Sequence, residues 1–104
     1  MATRKQTRPN GGIENRSTGI NGITYHERVA RGHEEYYYAR MVIDQEGRRK
    51  NVTFFIGTEN TWTAARDRKA FAAAKRFDRA YRRYQKHGGT HPLDDPELRY
   101  RAGA

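Results

Sequence analysis

The chain has 104 residues, of which 35% are hydrophobic, and its 21 Lys and Arg against 12 Asp and Glu give a net charge of +9. That length fits one domain with a thin core, and the charge exceeds what solubility requires, so a polyanion is the expected partner class: nucleic acid, anionic membrane or an acidic protein. The lack of cysteine excludes disulfides, thiolate catalysis and a Cys-type zinc site, and no apolar run is long enough for a transmembrane helix.

Residues 1–21 are rich in Gly, Asn, Thr and Arg, carry a net +3 and have no periodicity. They read as a flexible basic arm. Met1 to Asn10 is polar and basic without an apolar stretch, which predicts no secretory signal. The expected location is the cytoplasm, or the nucleoid if the source is bacterial or viral.

From Ile23 the pattern alternates. Ile23 to Arg28 reads as a first strand after the Asn21-Gly22 turn. Arg31-Gly32-His33 is a connecting turn. Tyr36 to Asp44, rich in aromatic and β-branched residues, is a second strand. Gln45-Glu46-Gly47-Arg48 supplies a hairpin turn, and Arg49 to Ile56 is a third strand ended by Gly57. Two short connections imply an antiparallel meander. The period then changes to that of a helix over about Trp62 to His87. Its apolar face carries Ala70, Ala73, Phe77, Ala80, Tyr81 and Tyr84, with Thr61 or Thr63 as N-cap and Gly88-Gly89 as the stop. In the tail, Asp95-Pro96-Glu97 looks like the start of a short helix.

The expected fold class is α+β: a three-stranded antiparallel sheet packed against one long C-terminal helix. The domain is 22–87, preceded by the arm at 1–21 and followed by a tail at 88–104. Residues 22–57 carry a net +1, residues 58–87 carry +6 and residues 88–104 carry −1, so the charge sits on the helix and the arm.

Side chains alternate across a strand. Ile23 and Tyr25 are expected to face the helix, as are Tyr37, Ala39, Met41 and Ile43, and Val52, Phe54 and Ile56. The uncovered face then shows Thr24, His26, Arg28, Tyr36, Tyr38, Arg40, Arg49, Asn51, Thr53 and Phe55. Guanidinium forks, an amide, hydroxyls and aromatic rings suit base edges, thymine methyls and phosphates. These ten residues form the candidate DNA-binding site.

Several segments resemble the AP2/ERF-type DNA-binding domain. Ser17-Thr18-Gly19-Ile20-Asn21-Gly22-Ile23 is similar to the serine/glycine lead-in and Gly-Val of that family's bacterial and viral members. Tyr37-Tyr38-Ala39-Arg40-Met41 sits where the family has Trp-x-Ala-x-Ile, and Ile56-Gly57-Thr58 matches its Leu-Gly-Thr. Ala73-Ala74-Lys75-Arg76-Phe77-Asp78-Arg79-Ala80 resembles its Ala-Ala-x-x-Tyr-Asp-x-Ala. The resemblance covers roughly residues 17–84. It implies a sheet docked in the DNA major groove, with reading positions at Thr24, His26, Arg28, Arg40, Thr53 and Phe55, and a structural role for Asp78. Thr24 and His26 stand where the family has arginines, Phe55 stands for a tryptophan, and the stretch from Gly57 to Ala73 is longer by about two helical turns. The arm-binding domain of tyrosine recombinases has a related shape and use.

The expected function is therefore a non-enzymatic, DNA-binding transcriptional or accessory regulator, with arm and helix arginines on phosphates of double-stranded DNA. The alternatives are RNA binding by stacking on Tyr36, Tyr38 and Phe55, or docking of an acidic protein; no membrane and no cofactor is expected. His87 and His91 are four apart, but Gly88-Gly89 breaks the helix that would align them on a metal. No P-loop, GxSxG or histidine–asparagine–histidine nuclease module is present.

Overall fold

Short turns force sequential strands to pair as neighbours, and the sheet order is β1-β2-β3, antiparallel throughout. The structure, a computed structural model, describes residues 18–100. The elements are β1 (Ile23–Ala30), β2 (His33–Ile43), β3 (Arg49–Thr58), α1 (Ala64–His87) and two 3-10 turns at Pro92–Asp94 and Pro96–Leu98. This is the expected α+β fold. Each strand runs longer than its alternation suggests, by two residues at the end of β1, by three at the start of β2 and by two at the end of β3. Most of the expected arm, residues 1–17, lies outside the described residues. Its last four residues are tied down. The Thr18 hydroxyl donates to the Ile23 carbonyl at 2.7 Å, and Arg82 donates to the Asn21 carbonyl at 2.7 Å.

The β1–β2 turn uses two residues, Arg31 and Gly32, both at positive φ (54° and 79°). This backbone twist matches that of the flanking strands. The β2–β3 turn is built by Asp44, whose carboxylate accepts from the Glu46 and Arg48 backbone N–H groups at 2.8 Å each. Those two bonds are stronger to the ionised carboxylate and favour that form. The Arg48 N–H in particular holds the Asp44 carboxyl below its ordinary value of 3.8.

A register shift in β3 leaves Ile56 as an extra residue between Phe55, opposite Tyr37, and Gly57, opposite Tyr36. The chain then folds back so tightly that a Cβ on Gly57 would lie 3.2 Å from the Thr61 backbone carbonyl carbon and the Trp62 backbone nitrogen. Close approach explains the glycine of Ile56-Gly57-Thr58.

Thr63 caps α1 by accepting from the Arg66 N–H, and Gly88 ends it at φ 75° with its N–H on the Tyr84 carbonyl. Of the two threonines expected as cap, Thr61 instead accepts from the Thr58 N–H. Ala70 and Ala74 let the helix approach the sheet. Between them and the strands lie Tyr25, Tyr36, Tyr38, Phe54, Phe77 and Tyr81, with Phe54 and Phe77 edge-to-face at 5.9 Å. The buried helix face is Asp67, Ala70, Ala74, Phe77, Asp78 and Tyr81. Ala73, Ala80 and Tyr84, also expected on this face, lie at its margin.

The expected short helix of the tail is a 3-10 turn, capped by Asp95. A second turn precedes it, capped by His91. The His91 Nδ1 accepts from the Leu93 N–H, so Nε2 carries the proton and donates to the Ile43 carbonyl at 2.7 Å. Tyr81 accepts from the Ile43 N–H at 2.9 Å. β1 begins opposite Arg40 and leaves the end of β2 without a neighbour on that side; Tyr81 and His91 take over its two backbone groups. No helix among the described residues is long and apolar enough to cross a membrane.

Candidate nucleic-acid interface

The sheet has one face under α1 and one open face. β1 and β3 divide between them as the sequence pattern predicts, and β2 divides in the opposite sense. Tyr36, Tyr38 and Val42 are buried in the core, and the side chain of Arg40 is only 11% exposed. Tyr36, Tyr38 and Arg40 thus leave the candidate site. Tyr37, Met41 and Ile43 replace them on the open face, where Met41 is 48% and Ile43 43% exposed.

The reason is that each buried polar tip on β2 has a partner. The Tyr36 hydroxyl donates to Glu34 at 3.0 Å. The Tyr38 hydroxyl donates to Asp67, whose other oxygen accepts from Trp62 Nε1 at 3.3 Å. Arg40 Nε donates to Asp78 at 2.8 Å, and its guanidinium lies 5.1 Å from the Tyr81 ring centroid. Asp78 also holds Arg82 at 3.0 Å. A hydrophobicity count favours Met41 and Ile43 as core residues, but it takes no account of two carboxylates waiting on the helix. The signal was available: Asp67 and Asp78 fall in the same helical stripe as Ala70, Ala74 and Tyr81.

The open face has two halves. On the β1 side, Thr24 Oγ1 and His26 Nε2 are 2.7 Å apart. His26 stacks on Tyr37, with centroids 5.2 Å apart and planes 18° apart. The Arg28 guanidinium lies 4.8 Å from the Tyr37 centroid, and its Nε donates to Glu35 at 2.9 Å. Tyr37 therefore carries His26 and Arg28 against its ring, so it is a support for them rather than a platform for an unpaired base. Glu35 fixes Nε and leaves the two Nη groups of Arg28 to point elsewhere. That is the pair of donors that reads guanine O6 and N7.

On the β3 side, Arg49, Asn51 and Thr53 are exposed and lie in one column, with Ile43, Met41 and Ala39 directly across on β2. No described side chain hydrogen-bonds Arg49, Asn51 or Thr53. Alternate residues on a strand are about 6.8 Å apart, which is two steps of about 3.4 Å along a DNA strand. A guanidinium, an amide and a hydroxyl at that spacing, beside two exposed apolar side chains, match the donors, acceptors and thymine methyls of a major groove. Phe55 ends the column opposite Tyr37 and is partly buried. Of the ten expected site residues, the open face thus holds seven: Thr24, His26, Arg28, Arg49, Asn51, Thr53 and Phe55.

The face itself is nearly neutral, since Glu35 offsets Arg28. Cations lie at the ends of the sheet, with Arg31 exposed in one turn and Arg48 in the other; Lys50 alternates with Val52 and Phe54 onto the helix side. The helix cations are elsewhere. At 3.6 residues per turn, the exposed Arg68, Lys69, Arg76, Arg79, Arg83 and Lys86 lie about half a turn from the buried face. They point away from the sheet, so they do not reach a duplex docked on the open face. The expectation that sheet and helix grip one backbone is corrected by this geometry. His33 and His87 are exposed, His91 is structural, and among the described residues no group of three His, Asp or Glu could hold a metal.

Comparison of the chain with protein-family models, curated proteins and solved structures gives no match.

Proposed function

We propose that the open face of the sheet binds duplex DNA in the major groove, and that the protein is a non-catalytic transcriptional or accessory regulator. The single observation that carries this reading is the column Arg49, Asn51 and Thr53. It is exposed, it has no hydrogen-bonding partner among the described side chains, and it stands at two-base-pair spacing beside Met41 and Ile43. Arg28, held at Nε by Glu35, adds a second guanidinium fork. Arg31 and Arg48, in the turns at the sheet ends, meet the flanking phosphates, which position the protein without reading sequence.

The same reading makes the domain AP2/ERF-like in use. Five of the six positions that the resemblance carries over, Thr24, His26, Arg28, Thr53 and Phe55, belong to the open face; Arg40 does not, because Asp78 holds it under the helix. Specificity then moves from β2 toward β3. The RNA reading loses two of its three stacking rings, since Tyr36 and Tyr38 are buried; Phe55 stays on the open face, partly buried, and Tyr37 beside it is covered by His26 and Arg28.

Binding of a randomised duplex pool, followed by anisotropy on the selected sequence, tests the proposal. Arg49→Ala and Asn51→Ala each weaken binding by about 1–3 kcal/mol and relax one base position. Negligible duplex affinity at low salt, or unchanged affinity and preference in both variants, overturns it.

A further inference from the structure

The outward face of α1 is built unlike an ordinary solvated helix surface. Such surfaces mix signs, because opposite charges at i,i+4 help the helix and like charges oppose it. Here Arg68, Lys69, Arg76, Arg79, Arg83 and Lys86 share one sector of about 100°, and it holds no carboxylate. The two acidic residues of the helix, Asp67 and Asp78, both turn inward, to Tyr38 and Trp62 and to Arg40 and Arg82. All six cations are exposed and none forms an ion pair with a described carboxylate; Arg76 alone of the six has a hydrogen-bonded side chain, donating to the Glu97 carbonyl at 3.2 Å. Arg76, Arg79, Arg83 and Lys86, three or four residues apart, therefore repel one another, which a bound polyanion would relieve.

The shape of the ridge narrows the class of polyanion. From Arg68 to Lys86 it runs about 27 Å at 1.5 Å per residue, with cations on every turn but one. A membrane-surface helix needs an exposed apolar face to bury in the headgroups, but the apolar face of α1 is already under the sheet. A protein partner needs an apolar or aromatic anchor at the centre of the contact; this sector offers only Ala72 among its cations. A straight row of phosphates needs neither.

We infer that α1 is a second, sequence-independent DNA-binding surface, and that the protein bridges two duplexes, one on the open face of the sheet and one on the outer ridge of the helix. This rests on the sheet reading above. Because the two surfaces lie on opposite sides of a two-layer domain, one chain engages two separate backbones without rearrangement. The sheet selects a site, and the ridge holds a second segment by counterion release.

The test is a two-duplex capture with the full chain. One duplex bearing the preferred sequence is fixed on beads, and a fluorescent duplex of unrelated sequence is added at low salt. Wild type retains the fluorescent duplex. Arg79→Gln/Arg83→Gln/Lys86→Gln, which keeps helix propensity, lowers retention by about tenfold or more while binding the fixed duplex with unchanged base preference. Circular dichroism and melting establish that this variant is folded. If wild type binds the fixed duplex but retains no second one, or if the triple variant retains it as wild type does, the bridging inference is overturned and the sheet reading stands. If Arg49→Ala/Asn51→Ala keeps full affinity for the fixed duplex and the triple variant loses it, the sheet reading falls, the ridge is a sole site, and bridging falls with it.

Discussion

Removing Asp78 should unfold much of what holds the open face in place. Arg40 is a guanidinium under the helix, 11% exposed, and Asp78 is its carboxylate partner at 2.8 Å. Asp78→Ala leaves that cation buried without a counter-charge, a change that costs about 3–5 kcal/mol. For a domain whose total stability is about 5–15 kcal/mol, this is a large fraction. With a urea m-value of about 1.5 kcal/mol/M, the midpoint falls by about 2–3 M. Arg40→Met is milder, about 1–2 kcal/mol, because a Met fills similar volume and Asp78 keeps Arg82 at 3.0 Å. The double variant Arg40→Met/Asp78→Leu returns close to wild type, since well-packed apolar pairs often replace buried ion pairs at no loss. Urea unfolding of wild type and the three variants measures each cost. Equal effects of the two single variants, or an Asp78→Ala cost below about 1 kcal/mol, would falsify the argument that Arg40 is buried on its account. The same series separates the two possible faces of β2: an Arg40 on the open face predicts unchanged stability and weakened DNA binding instead.

Two further outcomes follow from the polar contacts. Asp67→Ala takes the acceptor from both Tyr38 and Trp62; it costs about 1–3 kcal/mol, and the emission of Trp62, the only tryptophan, shifts before global unfolding in a denaturant titration. The β2–β3 turn should loosen in acid. Its Asp44 carboxyl is held below 3.8, chiefly by the Arg48 N–H, so the stabilisation is complete above 3.8 and is lost as pH falls through the lower folded-state value. Amide shifts of Glu46 and Arg48 titrate together with a midpoint under 3.8, and a midpoint above it refutes the turn geometry.

The architecture was legible because its signals are local. A change of period from two to 3.6 near residue 60, a two-residue turn with glycine, and a threonine cap each depend on neighbours in sequence. The face of β2 was not legible in that way. Tyr36-Tyr37-Tyr38 reads the same in either sense, so the decision passes to residues 40–43, where Arg and Val compete with Met and Ile. Hydropathy favours burying the second pair. The outcome instead depends on carboxylates 29 and 38 residues further on, at Asp67 and Asp78. The open face could be half read for the same reason: β1 and β3 show clean alternation, while β2 depends on distant partners. The separation of helix cations from the sheet was implicit in the 3.6 period, which places the cations half a turn from the alanines.

The inverted strand has a direct consequence for recognition. With Arg40 inside, Met41 and Ile43 stand outside, beside Asn51 and Arg49. A chain with so few apolar residues exposes two of them on the face that also carries its unpartnered amide and guanidinium. On the proposed DNA-binding reading, apolar side chains there would discriminate thymine by its methyl group, a contact that a wholly polar face lacks. Met41→Thr/Ile43→Thr separates this use from a packing role. Both residues are nearly half exposed (48% and 43%), and threonine is a good strand former, so the pair costs less than about 1 kcal/mol in stability. If they were core residues, the same change would cost about 3–6 kcal/mol, from two lost buried side chains. In the DNA assay the variant keeps its salt dependence, since no cation is removed, but loses preference at one or two A·T positions. A large loss of stability with unchanged base preference would return Met41 and Ile43 to the core and Arg40 to the surface, and the proposed reading of β2 would go with it.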